Sequence, residues 1–238
     1  MTSRLTRLVL CGCLILSSGV WRSQAQAPID PSLPEEPIPN RGFALFPSFD
    51  VVQQTGTPVA PLAPHQKFEL AARSIANPTL IFRAAFVTGF DEAANVGPDY
   101  GPGPSGAAKL FGYNATNVAT TYFFSEGLLP VVFHQDPRYF RKGSGTVKSR
   151  VWWAARSEFV GFSDNGLQMP NYSVMIGYFM STALSAAYLP PRNVSVGKTF
   201  EGYGIKLAST WGFNILHEYG GVERLKRLIQ QRRNKADH

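Results

Sequence analysis

From residue 65 onward, apolar residues recur with the three- and four-residue spacing of helices, and clusters of glycine and proline separate the runs. Alternation of period two, which marks a half-buried strand, is nowhere sustained. The pattern predicts a mainly α fold, a compact multi-helix bundle. The predicted helices cover residues 65–73, 79–95, 107–126, 147–162, 172–189 and 200–219, and the third continues with a kink at Pro130 to residue 134.

Four of the predicted helices carry a small residue at every fourth position. Because a helical turn takes 3.6 residues, each set lies along one face, where a neighbouring backbone can approach closely. Glycine inside a helix costs about 1 kcal/mol relative to alanine, so its repeated use predicts small-residue helix interfaces. The four stripes are Ala85, Gly89 and Ala93; Ala108, Gly112, Thr116 and Thr120; Gly177, Ser181 and Ser185; and Gly204, Ala208 and Gly212.

The most apolar predicted helix, residues 172–189, carries no charge and is followed by Pro190 and Pro191. Its length is close to the roughly 20 residues that span a bilayer. The alternative is a central helix of a bundle in water, hydrophobic all round because its neighbours enclose it. Charged residues within the other predicted helices favour this alternative: Arg83, Asp91, Glu92, Glu126 and Lys206.

The two ends of the chain differ from the helical part. Arg4 and Arg7 precede a short apolar run that leads to Ala-Gln-Ala, the pattern of a secretory signal peptide cleaved after Ala27. The prolines that follow disfavour both helix and central strand, and only residues 43–52 suggest a short docking strand. The predicted organisation is a signal peptide (1–27), a proline-rich extended linker (28–64), a helical bundle domain (65–221) and a basic C-terminal tail (222–238).

Export changes what the composition implies. Cys11 and Cys13 lie in the predicted signal peptide, so the mature chain has no disulfide and depends on packing. A lipid anchor at these cysteines would have too few apolar residues ahead of it. Charged residues make up 16% of the chain, against about a quarter in average soluble proteins. A membrane lipid or another envelope protein is therefore an expected partner and a homo-oligomer a further alternative, whereas nucleic acid is not expected.

Residues 134–145, HQDPRYFRKGSG, are the most polar stretch between the apolar runs. Asp136 precedes Pro137 and is expected to accept backbone N–H groups of a turn. Arg138 is expected to pair with a carboxylate from another helix. We interpret the stretch as a hydrogen-bond network at a helix junction. The candidate carboxylates for Arg138 are Glu126, Glu158 and Glu201.

The same stretch also permits a catalytic interpretation. His134 would act as a general base, oriented by Asp136 or Glu126. His134 and His217 are the candidates for a metal site, although His217 and the adjacent Glu218 point about 100° apart on a helix. No hydrolase or metalloprotease motif accompanies these residues. We therefore expect neither a metal nor a cofactor.

The run LLPVVFHQDPRYFRKGSGTVKSRVWWAARS and the later block DNGLQMPNYSVMIGYFMSTALSAAYLP resemble a family of uncharacterised exported bacterial proteins. The resemblance covers about residues 66–219 and is carried mainly by HQDPRYF. It implies a shared helical core around this motif, and no catalytic residue is transferred from it.

The sequence predicts a helical protein of the periplasm or cell envelope with a structural or binding role, associated with the membrane and without an identifiable reaction. The alternative is an envelope hydrolase that uses His134 and Asp136 as an acid and base pair.

Overall fold

The computed structural model describes residues 29–38, 51–53, 58–94, 98–189 and 195–219. Within these ranges the protein is mainly α, with six helical rods packed together with two small sheets. The predicted signal peptide and basic tail lie outside the described residues. The helices are α1 (Pro64–Ala76), α2 (Thr79–Ala94), α3 (Gly103–Tyr122), α4 (Leu129–Val132), α5 (Val147–Arg156), α6 (Tyr172–Ser185) and α7 (Val196–Tyr219).

A π-helical segment, Phe123–Leu128, joins α3 to α4 and makes them one rod. The rod is the centre of the bundle: α3 packs against α2 and α6, and the π-helical segment packs against α1 and α6. A helix that continues with a kink through Pro130 was expected, and the rod runs to Val132 with a π-helical irregularity before Pro130. Proline cannot donate to the carbonyl four residues before it, and the chain has π-helical spacing in the residues ahead of it.

Four of the five short strands were not predicted, because two to four residues are too few for alternation to be recognised; the exception is the strand at Val51–Gln53, which begins at the end of residues 43–52, where a short docking strand was expected. β1 pairs in parallel with β3, with Val52 opposite Phe140. β4 lies between β2 and β5 in an antiparallel sheet. The strands are β1 (Val51–Gln53), β2 (Gln135–Asp136), β3 (Tyr139–Arg141), β4 (Val160–Ser163) and β5 (Gln168–Pro170).

Two predicted helices extend too far at their C-terminal ends. The helix predicted over 147–162 stops at Arg156, because residues 160–163 pair with two other strands. Phe162 then packs on Phe140 with 5.0 Å between ring centroids. The helix predicted over 172–189 ends at Ser185, and hydrogen-bonded turns occupy the next residues.

Parts of the proline-rich segment belong to the folded unit. Ile38 and Leu62 are buried together with Leu70 of α1. Ile29 is buried against Phe140 and Phe162. The prolines keep these stretches out of helices, while the apolar residues between them supply core side chains. In the described ranges 29–38 and 58–63, the segment packs on the domain instead of acting only as a tether.

Three of the four small-residue stripes do not lie in helix interfaces. A Cβ added at Gly89, Gly112, Gly204 or Gly212 would meet nothing within 4 Å. The prediction is right only for Gly177, Ser181 and Ser185 of α6, which are buried. A Cβ at Gly177 would lie 3.0 Å from the backbone nitrogen of Ser125. The spacing of small residues predicts that they share one face of a helix. It does not predict whether that face packs against another helix or lies on the surface of the bundle.

Candidate functional site

The structure separates His134 from the carboxylates that were expected to orient it. His134 follows α4 in a left-handed conformation (φ 51°), and 84% of its side chain is exposed. Its Nδ1 lies 4.0 Å from Oδ2 of Asp164, which Nζ of Lys67 already holds at 2.7 Å. Lys67 is almost completely buried and also donates to the carbonyl of Pro130.

Asp136 and Arg138 bind each other. Nε of Arg138 lies 2.9 Å from Oδ1 of Asp136, and Nη2 lies 2.6 Å from Oδ2. The backbone N–H of Arg138 also donates to Oδ1 of Asp136. This bond forms the turn that was expected to begin at Asp136. The prediction that Arg138 pairs with a carboxylate of another helix is wrong, because the buried carboxylate of Asp136 is already in place two residues away.

Glu218 of α7 fixes the rest of the polar stretch. Its buried carboxylate accepts hydrogen bonds from the hydroxyl of Tyr139 at 3.1 Å, from the N–H groups of Lys142 and Gly143 at 2.9 Å, and from Nε of Arg150 at 3.0 Å. Burial, followed by the charge of Glu218, raises the pKa of Tyr139 well above its ordinary value, so the phenol remains a donor. These contacts make a fully bonded helix junction.

The two histidines considered for a metal lie in different surroundings. His134 is exposed beside Asp164. His217 lines an internal cavity and packs near the ring of Tyr139, with 6.1 Å between ring centroids. In the ranges that the structure describes, no group of three His, Cys, Asp or Glu residues is arranged to hold a metal ion.

The internal cavity has a volume of about 220 Å³ and is walled by α2, α3, α6, α7 and the strands. Glu126, Asp136, Arg138 and His217 from the sequence candidates line it. Exposed Lys198 and Glu201 of α7 also contribute to its wall, so the cavity reaches the surface there. Its other ionisable groups include Arg83, Asp91 and Lys206, which the sequence analysis noted as isolated charges, and Glu158, which it named only as a candidate partner of Arg138.

Arg83 of α2 is held inside the bundle by aromatic groups. Its Nη1 donates to the hydroxyl of Tyr122 at 2.7 Å, and its guanidinium lies 4.1 Å from the ring centroid of Phe213. Burial opposes its charge, but Tyr122, Tyr178 and Glu126 outweigh burial and raise the pKa of Arg83. Arg83 is therefore a permanent cation whose charge is compensated locally.

Glu158 is the buried acid of the cavity that has an incomplete set of partners. Its Oε1 accepts a hydrogen bond from Nδ2 of Asn214 at 2.9 Å. Its Oε2 is buried and has no hydrogen-bond partner among the described residues. Burial raises the pKa of Glu158 to about 8 although Arg83 opposes the change. The carboxyl is therefore mostly protonated at neutral pH.

Lys206 of α7 is the buried base of the same cavity. Its Nζ donates to Oδ1 of Asn117 at 2.8 Å and to the hydroxyl of Ser181. Within the described part of the chain, no carboxylate lies within ion-pair distance of it. Burial lowers the pKa of Lys206 to about 7.

Asp91 of α2 is a second buried acid in the cavity wall. Its Oδ2 accepts a hydrogen bond from Nδ2 of Asn114 at 2.9 Å. Burial, assisted by Glu92 and Glu201, raises its pKa in spite of this bond. Each acid has one amide partner, and Asp91 differs from Glu158 in having acidic neighbours and, among the described residues, no buried oxygen that lacks a hydrogen bond.

Helices α2 and α6 turn polar side chains towards the interior and large apolar side chains towards the outside. On α2, Arg83 and Asp91 face the cavity, whereas Phe86 and Phe90 are about half exposed. On α6, Ser181 and Thr182 are buried, and the outward side chains are apolar. The exposed apolar residues of α2, α6 and α7 are Ile81, Phe82, Phe86, Phe90, Tyr172, Ile176, Phe179, Met180, Leu184, Val196, Phe200 and Trp211.

None of the helices in the described ranges combines the length and the apolar character needed to cross a membrane. Comparison of the chain with protein-family models, curated proteins and solved structures found no match. The function is therefore inferred from the chain's own residues.

Proposed function

We propose that this is a helical protein of the cell envelope that associates with lipid through the outward faces of α2, α6 and α7, and that its role is binding or structural. The observation that carries the proposal is the reversed polarity of these helices. A helix in water turns its apolar stripe inward and its polar residues outward. Here Arg83 and Asp91 of α2 line the internal cavity, and the same helix exposes a row of phenylalanines.

Ring contacts link apolar side chains of these three helices. The half-exposed ring of Phe86 on α2 contacts the buried ring of Phe213 on α7, with 6.2 Å between ring centroids. Phe179 of α6 contacts Phe200 of α7 at the same distance. Contiguous apolar patches of more than a few hundred Å² are rare on monomers that face only water. A lipid surface suits this apolar patch because an exported chain meets it in the envelope.

The energy available from such a surface is sufficient for reversible binding. Full burial of a phenylalanine is worth about 1.5–3 kcal/mol, and a half-exposed ring gains about half of that. Several rings together exceed the marginal anchoring that one myristoyl chain provides. The basic residues after position 222 would add attraction to anionic lipid.

The hydrolase alternative receives less support from the geometry. Both oxygens of Asp136 bind Arg138, and His134 points to the surface. An acid and base pair needs two groups within hydrogen-bond reach of one substrate atom. The resemblance around HQDPRYF remains a prediction.

Vesicle flotation tests the lipid proposal. The chain should float with vesicles of phosphatidylethanolamine and phosphatidylglycerol. A double variant, Phe86→Gln with Phe90→Gln, should lower the partition coefficient by about 30-fold or more, since about 2–3 kcal/mol of apolar burial is lost. Leu167→Gln, at an equally exposed apolar residue beside β5, is the matched control and should float like the parent.

Two results would overturn the proposal. One is a parent chain that stays monomeric and does not float with any vesicle. The other is a discrete oligomer that buries Phe86 and Phe90 and excludes lipid, since a second copy would then occupy the apolar surface. Helical circular dichroism of each variant must match the parent, so that unfolding is not mistaken for loss of binding.

A further inference from the structure

The cavity holds an acid and a base, each without a partner of opposite charge. Glu158 leaves Oε2 unbonded, and Lys206 has only amide and hydroxyl partners among the described residues. Arg138 is paired with Asp136, and Arg83, which donates to Tyr122, influences Glu158 without forming an ion pair with it among the described contacts. Glu158 and Lys206 therefore line one cavity as an acid with an unbonded oxygen and a base without a carboxylate partner among the described residues.

The two groups are separated along α7. Asn214, which holds Oε1 of Glu158, follows Lys206 by eight residues, and eight residues of helix rise about 12 Å. Thr210 lies between them and accepts a hydrogen bond from the hydroxyl of Tyr178. A ligand that hydrogen bonds at both ends, at about 3 Å each, would carry its own charged atoms roughly 6–9 Å apart.

We propose that this cavity binds a linear zwitterion, whose ammonium group pairs with Glu158 and whose carboxylate pairs with Lys206. An ω-amino acid and a short peptide share this chemistry. A simple cation would satisfy Glu158 and leave Lys206 unpaired, and a simple anion would do the reverse. Unsatisfied buried polar groups cost about 1–3 kcal/mol each, so a ligand that satisfies both has the largest advantage. The proposal extends beyond lipid association and does not depend on it.

Ionisation of both groups conserves protons. The carboxyl of Glu158 releases one proton when it pairs with an ammonium group, and the amine of Lys206 takes up one proton when it pairs with a carboxylate. Because the pKa values of the two side chains lie near neutrality, binding requires little free energy to charge them. The entry route lies beside Lys198 and Glu201, where the cavity reaches the surface.

Isothermal titration calorimetry with a matched set of probes tests the proposal on the full chain. The set is 6-aminohexanoate, hexylamine, hexanoate, glycylglycine and glycine. We expect 6-aminohexanoate to bind at least about tenfold more tightly than hexylamine or hexanoate, a difference of 1.4 kcal/mol. Glycine is too short to reach both groups. Comparison of glycylglycine with 6-aminohexanoate distinguishes a peptide site from an ω-amino acid site.

Two isosteric variants assign the ends of the ligand. Glu158→Gln should reduce the affinity for 6-aminohexanoate to that for hexanoate, and Lys206→Met should reduce it to that for hexylamine. Asp91→Asn is the matched control: among the described residues Asp91 has no buried oxygen that lacks a hydrogen bond, unlike Oε2 of Glu158, so this variant should keep the preference for the zwitterion.

Equal affinity of the parent chain for 6-aminohexanoate, hexylamine and hexanoate would overturn the proposal, as would no binding of 6-aminohexanoate or glycylglycine at millimolar concentration. Loss of the preference in Asp91→Asn but not in Glu158→Gln would also overturn it. Flotation of the same variants keeps this result separate from lipid association, because the cavity substitutions leave the outward rings unchanged.

Discussion

Arg150 of α5 donates from Nε to Oε1 of Glu218 at 3.0 Å, and this bond joins two helices through residues that are 68 positions apart in sequence. The side chain of Glu218 is fully buried and receives three further hydrogen bonds. Removing one partner of a buried ion pair leaves the other charge uncompensated, which costs about 3–5 kcal/mol.

We therefore expect Glu218→Gln to lower the free energy of unfolding by about 3–5 kcal/mol. Glu69→Gln is the matched control, because Glu69 forms an exposed i,i+4 pair with Arg73 and such pairs contribute about 0.3–0.5 kcal/mol. Urea unfolding followed by circular dichroism measures both. Similar effects of the two substitutions would show that Glu218 does not organise the junction.

Asp136 and His134 should respond differently to substitution although only one residue separates them. Asp136→Asn leaves the guanidinium of Arg138 without its carboxylate and should destabilise the fold by about 3 kcal/mol or more. His134→Ala removes a side chain that is largely exposed and should change stability by less than about 1 kcal/mol. Equal destabilisation of both variants in thermal unfolding would contradict the observed surroundings of His134.

Gly177 and Gly89 occupy similar stripes in the sequence but opposite surroundings in the fold. Gly177→Ala places a Cβ against the backbone of Ser125 and should destabilise by about 1–3 kcal/mol. Gly89→Ala adds a methyl group to an outward face with nothing within 4 Å and should stabilise by about 0.5–1 kcal/mol. The measurement is the urea midpoint at constant slope. Two changes of the same sign would contradict this assignment of faces.

The sequence predicted the helices well because proline and glycine punctuate them clearly. The break predicted between the helices over 65–73 and 79–95 is present, since α1 ends at Ala76 and α2 begins at Thr79. The pairing of the strands escaped prediction because it joins segments that no local pattern relates, as with Val52 and Phe140, although a short strand was expected within residues 43–52. Helix periodicity could not place α5 correctly beyond Arg156 for the same reason.

The cavity escaped prediction because the charges that line it were considered one helix at a time. Arg83, Asp91 and Lys206 were noted only as charged residues within otherwise apolar helices. The presence of such a residue on more than one helix could have indicated that the helices share a polar interior. Their convergence depends on the packing of α2, α3 and α7, which no local pattern specifies. His134 and Asp136 were considered as a pair because they are close in sequence. In the fold their side chains have different partners, since His134 lies near Asp164 and Asp136 binds Arg138.

The pH dependence of stability should have a minimum slightly above neutrality. Glu158 has an ordinary pKa of 4.5 that is raised to about 8 in the fold, so between these values the unfolded chain loses a proton that the folded chain keeps. Stability should then fall by about 1.4 kcal/mol per pH unit. Lys206 has an ordinary pKa of 10.5 that is lowered to about 7, so its contribution to stability should rise with pH over that interval.

The charged and titratable groups around Glu158 come from three elements: Arg83 from α2, Glu126 from the π-helical segment and Tyr178 from α6. The described partners of Lys206, Asn117 and Ser181, are uncharged. All of these groups remain in the variants Glu158→Gln and Lys206→Met. Each substitution therefore removes the titration of one side chain, that of Glu158 or that of Lys206.

The stability difference between the parent chain and Glu158→Gln should change by about 1.4 kcal/mol per pH unit between pH 5 and 7.5 and then level off. Lys206→Met should remove the rise between pH 7.5 and 10. Glu69→Gln, at an exposed acid outside the cavity, is the control, and its profile should run parallel to that of the parent. Urea unfolding at half-unit pH intervals measures all four chains. Parallel profiles for the parent and Glu158→Gln would mean that this carboxyl ionises equally in the folded and unfolded chain, and that water reaches its Oε2.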